Sequence, residues 1–413
     1  MKTLKSWGIN REVVMLGLAR MVDSLGTSML IILIPLMVAQ RDVGLFDWST
    51  PFVIGILLSV FGVVDSFSQP IIGVWMDRIG KRKLFLLMGL GIYSLCTLSF
   101  VWAYHFSSFF LLRIIQGISV ALTLPPTMAL MTEYTEREYR GTAMGYYNVM
   151  RLLGFSCGPV LAGWMIGFTS FDVVLTLGAG AGATGFVLVS SLVDEPADLE
   201  PARGQESIFS AFHGLISSDV SDFHKLAYAN VTMATSISLI AALENEFNQR
   251  LDQTAQEFGF AFSALVITMI IFQIPVGRLA DKIGRKALSV SGLILLVPVT
   301  IWIGYVATTT HFVLARMIQG IGVACIAAPT MALGGDKSSE GKRGREMSLI
   351  TMAFGLGIGI GPLVGGLFAS VFTFQAPFYL GAILVGSAAV LILTAVDEQK
   401  LVEPAEIATQ EPN

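Results

Sequence analysis

GVWMDRIGKRK at residues 73–83 returns as GRLADKIGRKA at 277–287, 204 residues on and about half the chain away. Each copy is a short basic loop between two long apolar segments. RIIQGISVALTLPPTMALMTE (113–133) aligns without gaps on RMIQGIGVACIAAPTMALGGD (316–336), with twelve identities in twenty-one positions. GFSCGPVLAG (154–163) aligns on GIGIGPLVGG (357–366) at the same offset of 203. Three blocks in the same order at nearly constant spacing mean that the chain is two like halves.

Hydrophobic residues make up 54% of the chain and charged residues 14%, with a mean hydropathy of +0.71. A soluble chain carries nearly twice that charge fraction. The charges sit in short runs between apolar stretches of about 20 residues, the length that crosses a bilayer. Twelve such stretches fall near 13–38, 52–76, 84–104, 107–131, 142–167, 173–192, 226–247, 257–280, 287–307, 311–335, 347–372 and 376–396. They lack the alternation of barrel strands and so read as helices, spans 1 to 12. The expected fold is an all-α membrane protein of two six-helix bundles, 1–192 and 226–396. Both basic loops fall on one side of the membrane with an even number of spans between them, so the repeats are parallel. Residues 193–225 form a cytoplasmic linker with a short amphipathic helix, in which Ile208, Phe209, Phe212, Leu215 and Ile216 share a face. The polar tail, 397–413, is expected to be disordered.

Placing both termini in the cytoplasm puts 20 of the 26 basic residues on that side. Only Arg41 and Arg250 fall in external loops, and Arg20, Arg113, Arg151 and Arg316 fall inside spans. That asymmetry sets the expected orientation, in a cell (inner or plasma) membrane. The first apolar segment is too long for a signal peptide and has no small-residue cleavage site, so it reads as span 1. Cys96, Cys157 and Cys325 all lie in expected helices, read as small buried residues with no disulfide or metal spacing. There is no P-loop, and the Gly runs lie in apolar helices rather than after strands, so a gradient and not ATP must supply energy. No cofactor is expected. The expected partners are a small-molecule substrate, protons and the lipid bilayer, with no nucleic acid, and the chain is expected to act as a monomer.

The chain resembles the major facilitator superfamily over nearly its whole length. The basic loops match its signature at Gly73, Asp77, Arg78, Gly80, Lys81 and Arg82, then at Gly277, Asp281, Lys282, Gly284, Arg285 and Lys286. Arg113-Ile-Ile-Gln-Gly117 in span 4 resembles the motif that twelve-helix drug:proton antiporters carry there. Gly154, Gly158, Pro159 and Gly163 in span 5 resemble their antiporter motif, with Ala162 in place of the second-last Gly. Asp23, Gly26 and Pro35 in span 1 are similar to the tetracycline-efflux type. Ile32 stands where that type has another Pro, and span 8 lacks the His of some tetracycline carriers. The resemblance implies proton-driven efflux of small amphipathic compounds by alternating access, not an enzyme. A proton-coupled nutrient symporter, an exporter of a specific metabolite, sugar or lipid, and a sensor that has lost transport are the other readings.

The motif residues have physical roles of their own. Gly73 and Gly277 remove side chains where helix ends approach closely. Asp77 faces a helix N-terminus, that of span 11 if the resemblance holds. Arg78 and Arg82 can pair with Glu133 to form a gate. Topology and attraction to anionic lipid explain the same basic residues. A charge at mid-bilayer costs about 2.5–3.5 kcal/mol on insertion scales, so Asp23 and Arg113 should face a polar cavity or one another. Burial favours the neutral carboxyl of Asp23, and an adjacent guanidinium favours the ionised form. Asp23 therefore reads as the proton coupler, or else as half of a static pair with Arg20 or Arg113. Asp65 is a second coupling candidate or a partner for Arg151. Asn148, Arg151, Gln273, Glu244 and Arg316 are candidates for lining the substrate cavity. Met128, Tyr146, Tyr147, Phe155, Met233, Phe247 and Phe272 are their apolar or aromatic neighbours. Glu244, Asn245 and Glu246 also read as a solvated end of span 7, and Arg316 as a packing residue or an anion site. The glycines of span 5 form a flat packing face, and Pro159 permits a bend.

Overall fold

The structure, a computed structural model, describes residues 10–41, 43, 47–195, 222–337 and 343–396. The expected amphipathic helix of the linker and the tail after 396 lie outside the described residues. The helices are α1 (Arg11–Gln40), α2 (Thr50–Ile79), α3 (Arg82–Ser99), α4 (Phe106–Ala121), α5 (Leu124–Glu133), α6 (Arg140–Ile166) and α7 (Phe171–Leu192). After the linker come α8 (Asp222–Ser238), α9 (Glu244–Leu251), α10 (Ala255–Ile283), α11 (Arg285–Ile303), α12 (Thr309–Lys337), α13 (Arg343–Val371) and α14 (Ala376–Ala395). Among the described residues, eleven helical segments are long and apolar enough to cross a membrane. The α8–α9 pair, bent by 63°, brings the number to twelve. Leu95, Trp102, Ile274, Ile383 and Val390 stand exposed on the outside of the bundle, where lipid replaces water as the neighbour of apolar side chains.

Two spans are broken, one in each half. Span 4 stops at Ala121 and restarts at Leu124, with Pro125 and Pro126 opening the new helix. Proline has no N–H to bond back, and it suits the first turn of a helix. Span 7 passes from α8 into a 3-10 turn, Leu239–Ala242, before α9 begins. The sequence reading treated both as continuous.

The halves meet at one end and part at the other. Between α2 and α13 the Ser59 hydroxyl accepts from the Leu363 N–H at 2.9 Å, and Gly62 lies against Gly359. Between α6 and α10 the Ser263 hydroxyl donates to the Ser156 carbonyl, and a methyl on Gly259 would lie 2.6 Å from the Pro159 carbonyl oxygen. All these contacts lie in the halves of the helices remote from the basic loops. Toward those loops, Gly73, Gly141, Gly145 and Gly277 have nothing within 4 Å of where a Cβ would sit. Among the described residues the molecule is a wedge, sealed on one face and open on the face that bears the basic loops.

Candidate functional site

The charged cluster sits in the N-terminal half. Arg20 and Asp23, one helical turn apart on α1, form an ion pair at 2.5 Å, and both are buried. The break in span 4 turns the Thr123 hydroxyl toward them. It lies 3.3 Å from the Arg20 guanidinium, which donates to it, and 3.4 Å from Asp23 Oδ2. Asp23 is therefore held through Oδ2 alone, and its other oxygen has no hydrogen-bond partner among the described residues. That leaves Oδ1 free to take a proton while the contact through Oδ2 stays in place. Removing either member of a buried pair costs far more than the pair contributes, because the remaining charge is uncompensated.

Arg113 is not the partner of Asp23. It donates to the Leu57 carbonyl at 2.9 Å and to Gln116 at 2.7 Å, and its guanidinium lies 4.3 Å from the centre of the Phe61 ring. Arg316 does the same work in the other half. It donates to the Ile237 carbonyl at 3.1 Å and to Gln319, with Phe262 beneath it. A guanidinium has five donors, and carbonyls of unwound or bent helix can absorb them. These two arginines tie span 4 to span 2 and span 10 to span 7.

Asp65 on α2 accepts from Gln69 at 3.1 Å, and Arg151 bonds to Asn148 at 3.0 Å, so these two are not paired with each other. Both are half-buried, and Arg20 lies within electrostatic reach of each. Tyr147 is buried beside Arg20. Gln273, the repeat counterpart of Gln69, is half-buried on α10, one turn before the open Gly277. Of the other cavity candidates, Met233 and Phe247 are core residues, and Phe155 packs on Phe262 across the seam. Tyr146 is half-buried against α1, while Met128 and Phe272 are exposed. Cys157, expected to be buried, is exposed and lines an apolar groove of about 700 Å³ between α6 and α10. No residue of the charged cluster lines that groove.

Glu244 overturns its reading as a solvated end. It is fully buried, and so is Phe247 after it, within an aromatic cluster with Phe258, Phe312, Phe374 and Phe378. Its neighbour Asn245 crosses to the other half and donates to the Pro35 carbonyl at 3.0 Å.

The basic loops behave as ion-pair clips within each half. Arg82 bonds to Glu133 at 2.6 Å, and Arg285 bonds to Asp336 and, at 3.3 Å, to Asp281. The structural counterpart of Arg82 is thus Arg285, although the motif aligns Arg82 with Lys286. Gly80 is left-handed and Lys81 is not yet helical before α3 begins, whereas α11 begins directly after Gly284. Asp77, Arg78, Asp281 and Lys282 are exposed, Lys81 is exposed at the start of α3, and Lys286 is half-buried. The side chains that open span 11, where Asp77 was expected to dock, lie outside the described residues. Gly154 and Gly158 lie against α1, and Gly163 against the start of α10. Pro159 sits within an unbroken α6.

A family model described as Major Facilitator Superfamily matches residues 16–223 and 226–412. The chain is 28% identical to Multidrug resistance protein 2 of Bacillus subtilis (strain 168) over 272 residues, 62% of this chain and 64% of that one. It is 23% identical to Multidrug resistance protein 1 of the same organism over 375 residues, 86% of this chain and 92% of that one. A crystal structure of a variant of the nucleoside transporter NupG superposes with a TM-score of 0.77 at 14% identity, over 92% of this chain and 98% of that one.

Proposed function

The chain belongs to the Major Facilitator Superfamily, and from that premise we propose that it is a proton-driven exporter of small amphipathic compounds, with Asp23 as the residue that carries the proton. The family and fold are those of multi-pass membrane transporters. The multidrug resistance relatives support efflux. One observation supports Asp23 above the other acids. It is buried in an ion pair, at a helix break, with one oxygen free, at the root of a wedge that opens on one face. With the basic loops in the cytoplasm, that wedge is the inward-facing state. Substrate binding near Arg151 and Asn148 can change the field at Arg20, and so exchange a proton at Asp23 for substrate.

The half-buried polar side chains of Gln69, Asn148, Arg151 and Gln273 favour a second reading, a proton-coupled symporter for a polar nutrient. Inverted vesicles with an acidified lumen separate the two. Antiport predicts that added substrate releases luminal protons, and the absence of release with co-movement of proton and substrate establishes symport instead.

A further inference from the structure

We propose that Glu244 is a second proton site, filled from the face opposite the basic loops, and that the sealed end of the wedge closes only around its neutral form. The proposal rests on alternating access, and is independent of the direction of transport and of Asp23.

Glu244 lies where the broken span 7 crosses the closed seam. The 3-10 turn before it packs on α13, α2 and α1, and α9 itself packs on α1 and α10. The carboxyl has no exposed surface, and neither oxygen has a hydrogen-bond partner among the described residues. Asn248, one turn along, lies within interaction range of the carboxyl, but its amide is neutral and supplies no counter-charge. The stretches nearest it offer no counter-charge, and Arg41, which follows α1, is bound to the Phe100 and Ala103 carbonyls and to Asp172. Residues 31–40, 50–64, 355–371 and 376–395 contain no Asp, Glu, Lys, Arg or His. Glu246 is of like sign and half-buried, with one oxygen also unpartnered. Glu257 on α10 is committed to the capping box with Thr254. Arg250 is exposed, over the Phe374 ring. Arg316, on the span packed against α8, is bound to Ile237 and Gln319.

An ionised carboxylate in this setting is desolvated without compensation. The sealed seam therefore admits the acid and rejects the anion. When the seam parts, the same side chain meets water and can ionise. A route for that water starts close by, because a cavity of about 580 Å³ at this end is lined by Asn245 together with Gln40, Thr169 and Ser170. The sign follows directly. The sealed form binds one proton more than the parted form, so acid seals this face and alkali parts it.

Pulsed EPR distances test the proposal. Spin labels at Asp47→Cys and Phe372→Cys flank the hydrogen bond between Ser49 and Ser370, in nanodiscs, with Cys157→Ser to remove the exposed native thiol. The ratio of sealed to parted populations should fall with rising pH, by up to about tenfold per pH unit for one proton. Glu244→Gln should stay sealed at every pH, and Glu244→Asp should keep the pH response. Asp23→Asn should leave the response in place, which separates this site from the coupling site. A wild-type ratio that does not change with pH, or an unchanged response in Glu244→Gln, overturns the proposal.

Discussion

Span 1 and span 7 pack alike and carry different chemistry. Ser28 on α1 donates to the Gly154 carbonyl at 3.4 Å, and Ser238 on α8 donates to the Gly357 carbonyl at 3.2 Å. Gly154 nestles against Met21, and its counterpart Gly357 against Val231. Superposing these contacts sets Asp23 on Met233 and Arg20 on Asn230. Where the first half buries an ion pair, the second buries a neutral amide, Asn230, bonded to Thr330 at 3.0 Å. The breaks differ too. Span 4 breaks beside a paired acid, and span 7 breaks beside an unpaired one. Packing has stayed symmetric while charge has not, so the two halves can share a motion without sharing a proton site.

The largest effect expected comes from making span 1 as neutral as span 7. Asp23→Asn should reduce proton-driven flux to that of protein-free vesicles and, because it leaves the Arg20 guanidinium uncompensated, should also lower the unfolding temperature, so flux is compared per folded protein. Full flux in this variant would remove Asp23 as coupler and bring Asp65 forward.

Next is the distinction between the two buried arginines of the first half. Arg20→Ala strands a carboxylate and should cost about 3–5 kcal/mol of stability, largely recovered in the Arg20→Ala, Asp23→Asn double variant. Arg113→Ala should lower stability without moving the pH profile of transport. A pH profile that shifts with Arg113 and ignores Arg20 would reverse the assignment.

The packing symmetry can be tested with equal insults. A methyl on Gly158 would lie 2.5 Å from the Leu25 carbonyl oxygen, and one on Gly361 would lie 2.8 Å from that of Thr235. Gly158→Val and Gly361→Val should each destabilise by about 1–3 kcal/mol through overpacking. Thermal unfolding in detergent would show it, and a loss confined to one half would break the symmetry.

The smallest effect belongs to the loop clips. Arg82→Gln removes one ion pair and Arg285→Gln two, all to well-exposed acids, each pair worth about 0–1 kcal/mol. Their unfolding temperatures should differ little from wild type, and a large drop in either would make the clip structural.

The fold was legible because repeat and hydropathy are properties of whole segments. The charged cluster was legible in part. That Asp23 needs a cation follows from burial, but two arginines, Arg20 and Arg113, were within sequence reach, and the choice depends on the rotation of α4 relative to α1. Arg113 found carbonyls, which every residue possesses and no sequence pattern marks. The break at Leu124-Pro125-Pro126 was written in the prolines, yet the hydropathy runs through it unchanged. Glu244 was misread because Glu-Asn-Glu is polar enough for a solvated end, and only the approach of α13 and α2 to the turn before it reveals its burial.

The flatness of the sealed face bears on speed. Gly55, Gly62, Gly359 and Gly366 bring backbone against backbone there, so few side chains interlock across it. Surfaces that interdigitate must repack rotamers to separate, and they expose apolar area when they do. A glycine bearing slides apart with neither penalty, and the tightness of its closure then depends on the few polar and ionisable groups set into it.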